Sequence, residues 1–151
     1  YRKQHGLKPM IYDSSITTVA RYHARYLGLA SNMGHQTHFD KGPHDEQFDV
    51  PNFTELNFEQ RVALQPELNI NQEISIQYQP MGDFESDADF AKLSIKLFAS
   101  SPPHNEAMLT KDFDGVNLYM GVAVVKHPKM KEDSETAYAI NINFSYREIE
   151  K

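Results

Sequence analysis

Residues 138–146 read Tyr138-Ala139-Ile140-Asn141-Ile142-Asn143-Phe144-Ser145-Tyr146. Apolar and polar side chains alternate along this stretch, the period of an extended strand. One face carries Tyr138, Ile140, Ile142, Phe144 and Tyr146; the other carries Asn141, Asn143 and Ser145. Upstream, Val116, Leu118, Met120, Val122 and Val124 alternate in the same way. A polar connection from His127 to Glu135 joins the two runs as a long-looped antiparallel hairpin. A shorter alternation, Ile74, Ile76 and Tyr78 against Ser75 and Gln77, predicts another strand, ended by Pro80-Met81-Gly82.

Helical signals flank these strands. Asp13-Ser14-Ser15 suits an N-cap, and Ile16, Val19, Ala20, His23, Leu27 and Ala30 follow at three- and four-residue steps. His23 on that stripe reads as a core histidine. Phe58 and Val62 mark the inner face of a short helix near Glu55 to Leu64, with Pro66 closing it. A second long helix starts at Ser86, with Asp89 three residues on. It buries Phe90, Leu93, Leu97 and Phe98, leaves Lys92 and Lys96 wet, and stops before Pro102-Pro103. Helices packed on an antiparallel sheet give an α+β fold.

The chain has 151 residues, enough for a single domain over 1–151 with its own core. No apolar run approaches the ~20 residues that cross a bilayer as a helix. It opens at Tyr1 rather than Met, which is read as a removed leader or a trimmed end. Its formal net charge is −6, but residues 31–90 hold two basic residues against twelve acidic ones. A phosphate backbone or an anionic membrane surface would be repelled there, so nucleic acid is excluded as a partner. The absence of cysteine removes disulfides, thiolate nucleophiles and cysteine-based zinc sites. Asn52-Phe53-Thr54 and Asn143-Phe144-Ser145 are glycosylation triplets, meaningful only if the source glycosylates.

The nucleophile elbow, the phosphate loop, the dinucleotide glycine motif and the two-histidine zinc helix are all missing. Histidine and carboxylate remain. His35, His38, Asp40, His44 and Asp45 crowd one polar loop, and neutral imidazoles with carboxylates suit zinc. Loops also collect these residues because they tolerate turns and solvent. His104 follows Pro102-Pro103, whose stiff backbone reduces the entropy lost in presenting an imidazole from a loop.

Together these residues resemble a family. Arg2 with Gly6-Leu7-Lys8-Pro9-Met10 is similar to the opening of the CAP superfamily (SCP or TAPS domains). That superfamily includes cysteine-rich secretory proteins, plant pathogenesis-related proteins and bacterial secreted relatives. Ala20-x-x-His23-Ala24 resembles its first long helix, Thr37-His38 its Ser-His loop, and Gln72-Glu73-Ile74 its Gly-Glu-Asn turn. Ser101-Pro102-Pro103-His104 with Met108-Leu109 resembles its Ser-Pro-x-His block, Phe98 standing in place of Trp. Gly121-Val122-Ala123 and Ala137 to Ser145 resemble its terminal hairpin.

The resemblance implies a three-layer α-β-α sandwich with a central antiparallel sheet. It also implies a cleft where His38, Glu73 and His104 converge, with His35 as the alternative first histidine. Some members hold a divalent metal there; zinc, on His38 and His104, is the expected ion. Binding of a small lipophilic ligand or an extracellular protein is implied, at an extracellular, periplasmic or surface-attached location. A metal-dependent hydrolase or peptidase using the same cluster is the alternative. Gln72 and Ile74 depart from the family turn, and the lack of cysteine points to the bacterial branch. The family's second acid has no assigned counterpart; Glu85, Asp87, Asp89 and Glu106 are the nearby carboxylates.

Overall fold

A computed structural model describes residues 1–32, 56–78, 84–127 and 137–148. Four strands form one sheet: β1 (Ile11–Tyr12), β2 (Ile70–Tyr78), β3 (Val116–His127) and β4 (Ala137–Glu148), in the order β1-β3-β4-β2. β4 runs antiparallel to both neighbours, with Ile142 opposite Val122 on one side and Ile74 on the other. To the expected antiparallel sheet of β2, β3 and β4 the two-residue β1 adds at the edge, in parallel with β3. So short a strand carries no alternation signal. β2 also begins earlier than its apolar alternation, and a register irregularity between Ile70 and Gln72 hides the start.

Helix α1 (Ser14–Asn32) covers one face of the sheet. Asp13 caps it, its Oδ1 accepting from the amides of Ser15 at 2.8 Å and Ile16 at 3.3 Å. Of the stripe the spacing predicts, Ile16, Ala20, His23 and Leu27 are buried and Val19 is half-buried, with Ala24 buried beside them; Ala30's side chain lies outside the described residues. Gly121 of β3 lets the helix approach closely. A Cβ there would fall 2.8 Å from Ile16 Cβ and closer still to the Ile16–Thr17 backbone.

The opposite face carries Ile74, Ile140, Ile142 and Phe144, packed against Phe98, Ala107 and Met108. Phe98 belongs to α3 (Asp87–Ser100), whose N-cap Ser86 accepts from the Asp89 amide. Ala107 and Met108 belong to α4 (Pro102–Met108). Burying each large apolar side chain in this cluster stabilises by roughly 1.5–3 kcal/mol. Helix, sheet and helices make three layers. A shorter helix, α2 (Phe58–Ala63), is capped by Asn57 and ends before Pro66, which instead opens a 3-10 turn. The 128–136 connection lies outside the described residues.

The second face of β4 differs from an ordinary solvated strand face. Asn141, Asn143 and Ser145 are fully buried beneath α1. The triplet Asn143-Phe144-Ser145 is therefore inaccessible to glycosylation in the folded chain.

Candidate functional site

Glu73 sits on β2 facing α1, and its carboxylate is almost fully buried. Arg61, from the last turn of α2, donates through Nη2 to Glu73 Oε1 at 2.6 Å. Asn141 Nδ2 donates to the other oxygen at 2.9 Å. Ser75 Oγ donates to Asn141 Oδ1 at 2.5 Å, fixing the amide's orientation, and Arg61 Nη1 donates to the Leu56 carbonyl at 3.2 Å. His23 Nε2 lies 3.8 Å from Glu73 Oε1, with its ring stacked on Tyr26. The expected core histidine is thus part of a buried polar cluster. Such an ion pair holds only when further hydrogen bonds offset the desolvation of both charges, and here they do. The network joins α1, α2, β2 and β4.

His104 lies in the third layer. The sequence placed it on a stiff loop; it occupies the third position of α4 instead. Pro102 forces Ser101 into an extended conformation, which ends α3. The same two prolines then open α4, since the first amides of a helix have no internal partner to lose. The His104 ring stands edge-on to Phe98, centroids 5.4 Å apart. The half-buried His104 and the buried Glu73 therefore sit on elements packed against opposite faces of the sheet. His38, its alternative His35, and Asp40, His44 and Asp45 lie outside the described residues. Among the described residues, no three His, Asp or Glu side chains gather closely enough to hold a metal ion. Of the carboxylates considered for a second acid, Glu85, Asp87 and Asp89 stand at the start of α3, and Glu106 on α4.

Arg61 and Asn141 are the residues that sequence reasoning missed. A lone arginine in an acidic stretch and an asparagine in an alternating strand carry no signal of their own. Arg2, quoted only as part of a motif, proves to be a clamp. It donates to the carbonyls of Lys8 at 2.7 Å, Met108 at 3.0 Å and Thr110 at 2.7 Å, and to Asp112 at 2.9 Å. Asp112 also accepts from the Lys8 amide at 2.9 Å. The clamp fastens the N-terminal segment across the C-terminal end of α4. Beneath it lies a cavity of about 300 Å³, walled by Met10, Ile95, Met108, Met120, Ile142 and Phe144, with Arg2 and Lys3 also lining it.

Comparison with known proteins bears on these features. No curated protein and no solved structure matches the chain. The family model described as "CAP: Cysteine-rich secretory protein family" matches residues 1–139, from the Arg2 clamp through α1, Glu73 and His104 into β4. With that match spanning all but the last twelve residues, the chain belongs to the CAP family.

Proposed function

We propose that this CAP domain works by binding a small lipophilic ligand, at an extracellular, periplasmic or surface-attached location, and not by hydrolysis. The apolar cavity beneath the N-terminal segment carries this reading. Its volume of about 300 Å³ is at the lower end of the range for small-molecule sites. Three of the six methionines in the chain line it. Their flexible, polarizable side chains adapt to ligands of irregular shape.

The bonding of Glu73 favours the same reading. A metal-dependent hydrolase needs a carboxylate that a metal or a water molecule can reach. Glu73 is 2% exposed, and each of its oxygens already accepts a hydrogen bond, from Arg61 and from Asn141, so it is poorly placed to meet either. His104 lies across the sheet from Glu73, so in this reading the acid fixes β2 against α1 and α2, and His38 with His104 does the capturing. Zinc fits two neutral imidazoles, His38 or His35 with His104. Glu73 fits less well as a third ligand, because it is buried beside a guanidinium and lies across the sheet from His104.

The test is binding of a fluorescent fatty acid to the purified chain, compared with Met10→Asp. Met10 lies on the N-terminal segment and is only partly buried against the core cluster, so a charge there spoils the cavity wall, and an unchanged circular-dichroism spectrum shows that the core has held. Saturable binding that weakens at least about tenfold in the variant, for roughly 1.4 kcal/mol of lost apolar contact, supports the proposal. Chelator-sensitive cleavage of a peptide panel, abolished by Glu73→Gln, would replace it with the hydrolase.

A further inference from the structure

A second pocket opens at the start of α3, away from both the apolar cavity and the Glu73 network. It has a volume of about 610 Å³ and is lined by Phe84, Glu85, Asp87, Phe90, Val124 and Tyr138, together with Ser86. Its aromatic rings form a corner. Phe84 stands edge-on to Phe90, centroids 5.0 Å apart at 88°, and to Tyr138 at 6.1 Å and 72°. Phe90 and Tyr138 are 4.9 Å apart.

Two carboxylates complete the wall. Glu85 and Asp87 are exposed, and neither forms an ion pair among the described residues. Of the cations around the pocket, Lys92 on α3 is engaged by Asp89 at 3.1 Å, and the exposed Lys126 stands opposite Tyr138 in the β3–β4 ladder. The partial positive charge at the start of α3 is answered by the first-turn acids Asp87 and Asp89, of which Asp89 also hydrogen-bonds Ser86, and it does not cancel two full carboxylate charges at the rim. Glu85 and Asp87 therefore add negative potential beside aromatic faces that carry negative charge density of their own.

We propose that this pocket binds an organic cation with an alkylated ammonium group. Rings attract such a group electrostatically without demanding hydrogen bonds from it, and carboxylates at the rim supply the remaining counter-charge. An anion would meet repulsion from both. A neutral ligand would gain only apolar contact and leave Glu85 and Asp87 with no part in binding. The site is independent of the lipophilic-ligand reading, since the two pockets share no residue.

The experiment is an NMR titration of the full chain with tetramethylammonium chloride at fixed ionic strength. The neutral isostere of choline, 3,3-dimethyl-1-butanol, runs in parallel. Expected is saturable binding, with shifts confined to residues around Phe84–Phe90, Val124 and Tyr138, and at least about fivefold weaker binding of the alcohol. The surface double variant Glu85→Gln with Asp87→Asn should weaken cation binding about three- to fivefold while leaving the fold intact, and Tyr138→Leu should do so by a similar factor. Choline set against N-acetyl-trimethyllysine amide separates a free small cation from a methylated side chain as the source. Equal affinity for cation and alcohol, a linear response without saturation, or an unchanged affinity in the charge-neutralised double variant would overturn the proposal.

Discussion

Replacing Arg61 with alanine removes the guanidinium that holds Glu73 and leaves a carboxylate, 2% exposed, with its neutral partner Asn141 and His23 3.8 Å away. Breaking a buried ion pair from one side costs about 3–5 kcal/mol, because the remaining charge stays desolvated. The Leu56 carbonyl loses its donor as well. At about 2–4 °C per kcal/mol for a chain of this size, melting should fall by about 6–20 °C. Glu73→Gln keeps the shape and still accepts one hydrogen bond, so it should cost less than Arg61→Ala. The double variant should then cost less than the two single changes added together, since neither charge is stranded. Urea denaturation of all three variants gives the coupling energy. A cost below about 1 kcal/mol for Arg61→Ala, or strict additivity, would show that water reaches the pair and that Glu73 is not held as described.

Gly121→Ala should destabilise by about 3 kcal/mol or more, since the new methyl meets α1 backbone that can yield only by lifting the helix; an unchanged urea midpoint would contradict the close approach. Asp13 feels two opposed influences: burial pushes its carboxyl up, but hydrogen bonds from Arg147, Ser15 and Ile16 and the Arg147 charge outweigh it and leave the pKa below the ordinary 3.8. Its contribution is present above that unfolded-state value and is lost as pH falls through the lower folded one, so Asp13→Asn should flatten the acid limb of a stability–pH curve. If His38 and His104 share zinc, metal at about 100-fold its dissociation constant should add roughly 2.7 kcal/mol, or about 5–10 °C in melting temperature. That rise should fade by about pH 5 as imidazoles protonate, and vanish in His38→Ala and His104→Ala. His35→Ala and His44→Ala are the controls: a shift that survives loss of His104 but not of His35 places the ion in the loop.

Much of the architecture was legible in residue order alone. Alternation in 116–124 and 138–146 specified two strands and their apolar face, because a period of two puts all five large apolar side chains of each run on one side, although the end residue Val124 stays 45% exposed. The spacing after Asp13 and after Ser86 specified α1 and α3, each opened by a side chain that caps its first amides. Motif order alone also suggested the family, which the match over residues 1–139 established. Those are local properties, set within a turn or two of chain. His104 was misread for a local reason: two prolines both stop a helix and start one, and only the placement of Ser101 between α3 and α4 shows that they do both.

What only the tertiary structure decided depends on groups distant in sequence. Glu73, Arg61, Asn141 and His23 belong to four elements, and their hydrogen bonds exist only once α1 and α2 close over the sheet. Asn141 and Asn143 look like a wet strand face until α1 is laid over them. The Arg2 clamp spans more than a hundred residues, and the cavity beneath it has walls from both ends of the chain. Pattern along a chain records which side chains share a face. Which face meets which, and so where a carboxylate finds its partner, is settled by packing.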